Sequence, residues 1–327
     1  MLENELMFLK RTFPSANQVL VKGTAPILID SGFGSDFADT IALLRSAGVR
    51  PEALQMVANT HYHCDHAGGN HHFQREYDIA IAAHALDAAM INQRDRETCS
   101  VEWLSQVIEP YSVTRALLPG DVLDTGNVQL EVLHTPGHTL NHLSFYVDGY
   151  LICGDTFHHD DVAWLNVFRE GAGAIYRIMQ ALDELAKLPL KQSFSGHGVV
   201  SDDPLSAIDR ARRRYEKWLT QPEKIAWHAS KRILTYALML HDGMTRAQLE
   251  HYLLHDSPWY LDYCRYVFDA EPADFVQPML AELLRSGAAY WHNDGRLLPG
   301  AAYNAPPAGW LNMVPAPTDW PPALENP

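Results

Sequence analysis

The chain has 327 residues, a hydrophobic fraction of 47% and a formal charge of −15, from 25 Lys and Arg against 40 Asp and Glu. That length holds one large domain or one plus a small appendage; the acidity argues against a broad grip on nucleic acid, which relies on Lys and Arg neutralising phosphates; and no stretch approaches the ~18 consecutive apolar residues of a membrane span. The start of the chain has Glu3 and Glu5 and no long apolar core, so it does not read as a secretory signal, and Cys64, Cys99, Cys153 and Cys264 stand at irregular spacings unlike a disulfide framework, so a reduced, cytoplasmic protein with no membrane partner is the expectation.

The first 200 residues alternate strand and helix signals. "QVLVKGTAPILIDSG" reads as two short strands joined at Lys22-Gly23 and ended by Ser31-Gly32. "DFADTIALLRSAG" places Phe37, Ile41, Leu43 and Leu44 at helical spacing, with Gly48 as its C-cap. "LQMVANT" is a short apolar strand, "IAIAAH" repeats that pattern, and "VQLEVLHT" alternates apolar with polar residues. "LSFYVDGYLICGDT" predicts a hairpin turning at Asp148-Gly149. An amphipathic helix, "AIYRIMQALDELAKL", then precedes the strand "QSFSGHG".

After Pro204 the pattern becomes mostly helical, over 204–219, 223–241, 245–254 and 273–286, and "GAAYWHNDGRLLPG" predicts a hairpin around Asp294-Gly295. Proline-rich sequence without periodicity follows from Pro299. These textures predict an α+β main domain over 1–203, a small, mainly helical domain over 204–299 and a tail over 300–327. Inside the first helix of the second region, "DRARRRYEKW" carries Arg210, Arg212, Arg213, Arg214 and Lys217; a solvated helix face is the plain reading and an anion-binding patch the alternative. "SPWYLDYCRYVFDAEPADFV" is dense in aromatics and acids, a mixture that suits a core, a lid over a pocket or a subunit interface better than a phosphate backbone.

The chemistry concentrates in "NTHYHCDHAGGN", residues 59–70, where an apolar strand delivers His61, His63, Asp65 and His66 into one loop followed by Gly68 and Gly69. A borderline metal such as zinc takes imidazole nitrogens and carboxylate oxygens at about 2 Å, so its ligands converge from a tight turn and other loops. His61 and His63 can point to one side, and Asp65 and His66 to a second ion. The partners stand at strand ends: His138 in "HTPGHTLNH", Asp155 in "LICGDT", placed to bridge two ions, and His197 in "SFSGHG". Strand ends beside turn residues are where loops present reactive groups.

In this order, Asp30, His61-x-His63-x-Asp65-His66, His138, Asp155 and His197, the chain resembles the metallo-β-lactamase superfamily over about residues 5–205. The resemblance implies an αββα sandwich with metals at the mouth between two sheets. It implies that His61, His63 and His138 hold one ion, that Asp65, His66 and His197 hold a second, and that Asp155 bridges them. Asp30 would brace the metal loop through hydrogen bonds without binding metal. Two zinc ions are the first expectation, with iron or manganese acceptable to the same donors. His71, His72, His134, His158 and His159 read as structural, His142 as a packing or hydrogen-bonding residue and Cys64 as a bystander.

Such a site implies hydrolysis by a metal-bound hydroxide, with Asp65 orienting the nucleophile and passing its proton to the leaving group. The segment "TPGHTLNHLSFYVDGYLICGDTF" resembles the glyoxalase II-like and lactonase-like branches, which favours a small ester, thioester or lactone. The alternative is a single-strand endoribonuclease, because residues 229–299 resemble the winged-helix-like module of a nuclease branch; the net charge opposes nucleic acid as the partner. A homodimer stays open as the assembly.

Overall fold

The computed structural model describes residues 4–96, 98, 102–315 and 320; Glu3, Cys99 and the end of the expected tail fall outside them. The first sheet is built from β1 (Leu6–Leu9), β2 (Gln18–Val21), β3 (Ile27–Ile29), β4 (Met56–Ala58), β5 (Ala80–His84) and β6 (Arg115–Leu117), in that spatial order. Its first two pairings are antiparallel and its last three parallel. Between these strands run helices α1 (Phe37–Ser46), α2 (Cys64–Ala67), α3 (Asn70–Tyr77) and α4 (Ala85–Asn92).

The second sheet contains β7 (Val122–Asp124), β8 (Gln129–His134), β9 (Leu143–Val147), β10 (Tyr150–Gly154) and β11 (Gln192–Ser195), with α5 (Ala174–Leu185) crossing between the last two. That crossover makes β10 and β11 parallel, while the other pairs are antiparallel. The β9–β10 hairpin turns where expected, with Asp148 and Gly149 both at positive φ (47° and 92°), as a two-residue turn of this twist requires.

Side-chain alternation sorts the apolar residues into layers. In β2, β3 and β4, Val19, Val21, Ile27, Ile29, Met56 and Ala58 face the second sheet, where Leu130, Val132, Leu143, Phe145 and Phe194 meet them. The intervening Leu20, Leu28 and Val57 face outward onto Phe37, Ile41, Leu44 and Phe73. Leu151 and Cys153 face outward from the second sheet onto α5 and α6 (Pro204–Thr220). Strands covered on both faces read as apolar runs for this reason, and the result is the four-layer α/β/β/α arrangement. Helix α6 shares this core through Ala207, Ile208, Ala211, Tyr215 and Trp218.

Residues after α6 form a separate core. It comprises α7 (Glu223–Leu240), β12 (Met244–Thr245), α8 (Arg246–His251), α9 (Pro258–Tyr263), α10 (Pro272–Arg285), β13 (Ala289–Trp291) and β14 (Arg296–Pro299), with a three-stranded sheet ordered β12-β14-β13. The helix expected over 245–254 starts at a capping box of Thr245 and Gln248 and leaves α-geometry after His251, in a π-type turn over Tyr252–Asp256. Helix α9 was hidden in the aromatic-rich segment; its Trp259, Tyr260 and Tyr263 are wholly buried, whereas Tyr266 is exposed. The described part of the tail returns to the first domain: Asn304 N–H donates to the Phe13 carbonyl (2.7 Å), and Trp310, in the short α11 (Trp310–Met313), packs on Phe33. Among the described residues no helix is long and apolar enough to cross a membrane.

Phe145 lies wholly inside the layer between the two sheets. Its replacement by alanine leaves a cavity there, and F145A is expected to lose about 3–5 kcal/mol of stability, read as a lower denaturant midpoint with an unchanged slope.

Candidate metal centre

Five strand ends open on the same side. Asp30 follows β3 and the 59–66 loop follows the adjacent parallel β4; His138 lies beyond β8, Asp155 follows β10, and His197 lies just past the adjacent parallel β11. Two glycines let these ends close up. A Cβ on Gly154 would lie 2.8 Å from His142 Nε2 and from the Thr60 side chain, and one on Gly196 would lie 2.4 Å from Asp155 Oδ1. Neither position has room for a side chain.

All eight residues singled out in the sequence meet here. Asp30, itself at φ 61°, accepts from Thr60 N–H (2.8 Å), from Thr60 Oγ1 (2.9 Å) and from His66 Nδ1 (2.8 Å). One carboxylate thereby ties the loop start to its last histidine and leaves His66 Nε2 without a proton to offer in the neutral ring. His138 Nδ1 donates to the Trp164 carbonyl (2.7 Å), which aims Nε2 inward. His142 Nε2 accepts from the Asp155 N–H (3.1 Å), the hydrogen-bonding role read for it.

The inward atoms are arranged for a cation. His63 Nδ1 faces His61 Nε2 at 3.0 Å and His138 Nε2 at 2.9 Å, and three imidazole nitrogens cannot satisfy one another with the protons neutral rings carry. His66 Nε2 stands 3.4 Å from Asp155 Oδ1, and both atoms are buried without a hydrogen-bond partner. His197 Nε2 lies 3.1 Å from Asp65 Oδ2. Asp155 Oδ2 lies 3.6 Å from His138 Nε2 and 3.7 Å from His197 Nε2. Donor atoms of His61, His63 and His138, of His61, His66 and Asp155, and of Asp65, His66 and His197 each fall within 4.8 Å of one another. Such a mixed nitrogen and oxygen set suits zinc and its neighbours.

Electrostatics divides the cluster. Burial, and then the neighbouring rings of His66 and His63, hold His61 well below the usual histidine range. Burial also opposes charge on His66, but Asp65, Asp30 and Asp155 outweigh it and raise its pKa well above that range. The carboxylates thus demand positive charge on their side, as protons or as a metal ion.

The cluster lies in a cavity of about 920 Å³, lined also by residues far along the chain. His158, read as structural, is on that lining, is buried, and leaves its Nδ1 without a partner. Helix α7 contributes Lys231, Arg232 and Tyr236, and the turn after α10 contributes Ser286 and Gly287. The second core therefore borders the mouth through α7 and this turn, and the aromatic residues 259–275 are absent from the lining. Their periodicity carried no signal for α7's contribution, because a cavity wall depends on how two cores pack. Of the four cysteines, Cys64, Cys153 and Cys264 are buried and free.

The family model of the metallo-beta-lactamase superfamily matches residues 11–197, more than half of the chain, and the chain belongs to that superfamily. Among curated proteins it is 31% identical over 143 residues to a hydroxyacylglutathione hydrolase of Idiomarina loihiensis, covering 42% of this chain and 44% of that protein. It is 34% identical over 146 residues to the acyl-coenzyme A thioesterase MBLAC2 of Gallus gallus, covering 38% and 50% respectively. The aligned part thus spans about half the length of these curated relatives. A metallo-beta-lactamase family protein from Thermus thermophilus superposes with a TM-score of 0.58 at 20% identity, over 90% of this chain and 98% of its own, a likeness of fold.

Gly196→Ala would drive a methyl group against Asp155 Oδ1 and to 2.5 Å from His66 Cε1. G196A is expected to keep its circular dichroism while binding added zinc at least about tenfold more weakly by isothermal titration, a loss typical of displaced metal-site geometry.

Proposed function

We propose that the chain is a metal-dependent hydrolase of thioesters. The observation that carries this reading is the set of converging imidazole and carboxylate donor atoms on the wall of an open cavity. His61, His63 and His138 would hold one ion, and Asp65, His66 and His197 a second. Asp155, whose two oxygens face different histidines, would bridge them. When bound, the ions acidify a water molecule and polarise the scissile carbonyl.

The side chains of the chain do the rest. The thiol inside the motif, Cys64, hydrogen-bonds Gln106 and lies 3.5 Å from the Tyr236 hydroxyl; burial pushes its pKa far above the usual thiol range, so it is no nucleophile. Asp65, held by His197, is placed to orient the attacking water, accept its proton and deliver that proton to the departing sulfur. Asp30 holds His66, and the Trp164 carbonyl holds His138, in their donor-inward orientations. The names of two relatives, one acting on an acylglutathione and one on acyl-coenzyme A, favour the thioester among acyl substrates.

The test is a substrate panel of acyl-glutathione and acyl-coenzyme A thioesters, acyl-homoserine lactones, nitrocefin and single-stranded RNA. Turnover of a thioester, abolished by chelator and restored by zinc or manganese, is the expected outcome; RNA cleavage without acyl hydrolysis would sink the reading. Asp155→Ala is expected to reduce turnover at least about a thousandfold, as for a group the reaction cannot replace, and to lower metal content more than Asp30→Asn does.

A further inference from the structure

The basic run of α6 does not form one surface. Arg212 pairs with Asp183 (3.0 Å) and Arg213 with Asp209 (2.6 Å) outside the cavity. Arg214 reaches the cavity wall and meets Arg232 from α7 there. The two guanidiniums grip opposite oxygens of one carboxylate, Asp161, on the loop between β10 and α5. Lys231, on the same wall, pairs with Glu282 (2.9 Å), and Asp160 is turned towards His159 (3.6 Å) and Arg210 (4.0 Å). Around the convergence, Arg214, Arg232 and Lys231 face the carboxylates of Asp161 and Glu282. At Asp161 itself two guanidiniums meet one carboxylate, a local excess of one positive charge in a chain of formal charge −15.

His228 adds no charge to this wall. Its ring packs on Trp218 at 4.9 Å, Asp161 Oδ1 lies 3.8 Å from its Nε2, and burial, then Arg214 and Lys231, push its pKa down to about 3. The arginines are open to solvent: their side chains are 37% and 43% exposed. The same cavity reaches the metal centre; burial lowers the pKa of the Arg232 guanidinium, and the Asp155 carboxylate at that centre opposes the shift. Two planar guanidiniums that converge on a carboxylate beside open space have the geometry for a second oxyanion.

We propose that Arg232, with Arg214 and Lys231, forms an anion subsite that binds the charged group on the thiol half of the substrate while the acyl carbonyl lies at the metal centre. The assignment to the thiol half rests on the thioesterase reading above. The chemistry recognised is an oxyanion, from a carboxylate or a phosphate of the thiol carrier. Asp161 holds the guanidiniums in place in the free protein and competes with the ligand for them.

Binding to the zinc-loaded full chain tests this without turnover. The probes are S-methylpantetheine and its 4′-phosphate, and S-methylglutathione and its diethyl ester; S-methylation keeps the sulfur from acting as a thiolate ligand. At low salt, at least one anionic member is expected to bind about tenfold or more tightly than its esterified or dephosphorylated partner, a difference of about 1.4 kcal/mol. The phosphate pair identifies a phosphorylated carrier, and the glutathione pair a carboxylate one. Arg232→Gln removes that difference with zinc content and melting curve unchanged, and Asp161→Asn enlarges it, whereas a purely structural Asp161 would weaken every probe alike. Equal affinities within both pairs, or a difference that survives in R232Q, would overturn the subsite. Anion binding without hydrolysis of any acyl derivative would overturn the thioesterase reading and leave the subsite standing.

Discussion

Lone pairs that face one another repel, and the ends of β3, β4, β8, β10 and β11 are held against that repulsion. Three imidazole nitrogens meet at about 3 Å, beside a histidine nitrogen and a carboxylate oxygen that are buried with no hydrogen-bond partner. Buried polar atoms without partners are costly, so such an arrangement persists only if the scaffold over-determines it or a cation satisfies it. The first condition is visible in the scaffold. Asp30 fixes the loop start and His66 together, the Trp164 carbonyl aims His138, and Gly154 and Gly196 remove the side chains that would keep the strand ends apart. The layered core supplies the rigidity: residues of β2 to β4 pack on both faces, so the strand ends cannot drift independently.

Much of this was legible in the sequence because it is local. His61, His63, Asp65 and His66 share one loop, and His138, Asp155 and His197 each follow a strand marked by alternation and closed by turn residues. The β9–β10 hairpin and Gly48, at φ 80° after α1, were legible for the same reason: a turn leaves its chemistry in two or three adjacent residues. Helix α9 was not, since its single buried face of Trp259, Tyr260 and Tyr263 spans only six residues, too short a window for periodicity to stand out. Nor was the π-type turn after α8, which depends on packing within the second core.

The cavity wall was the least legible part. "DRARRRYEKW" offered two readings for the whole run, and the structure divides it residue by residue: Arg212 and Arg213 pair in solvent, and Arg214 points inward to a carboxylate it shares with Arg232. Nothing near either arginine in sequence announces the other. Likewise His158 reads as one histidine among many until the fold sets it in the wall beside His197 (ring centroids 5.6 Å apart). Residues of the donor cluster can be recognised from their order along the chain, whereas the residues of the cavity wall come from elements brought together only by tertiary packing.

Everything above turns on whether the converging donors hold metal, and metal content per chain is the direct measure. Protein purified without chelator, then supplied with zinc and freed of excess by gel filtration, is expected to carry close to two ions per chain by elemental analysis. A value that stays near zero after such loading, with the chain folded, would contradict a metal centre. One that stays near one would contradict the bridging role of Asp155 and the second set formed by Asp65, His66 and His197.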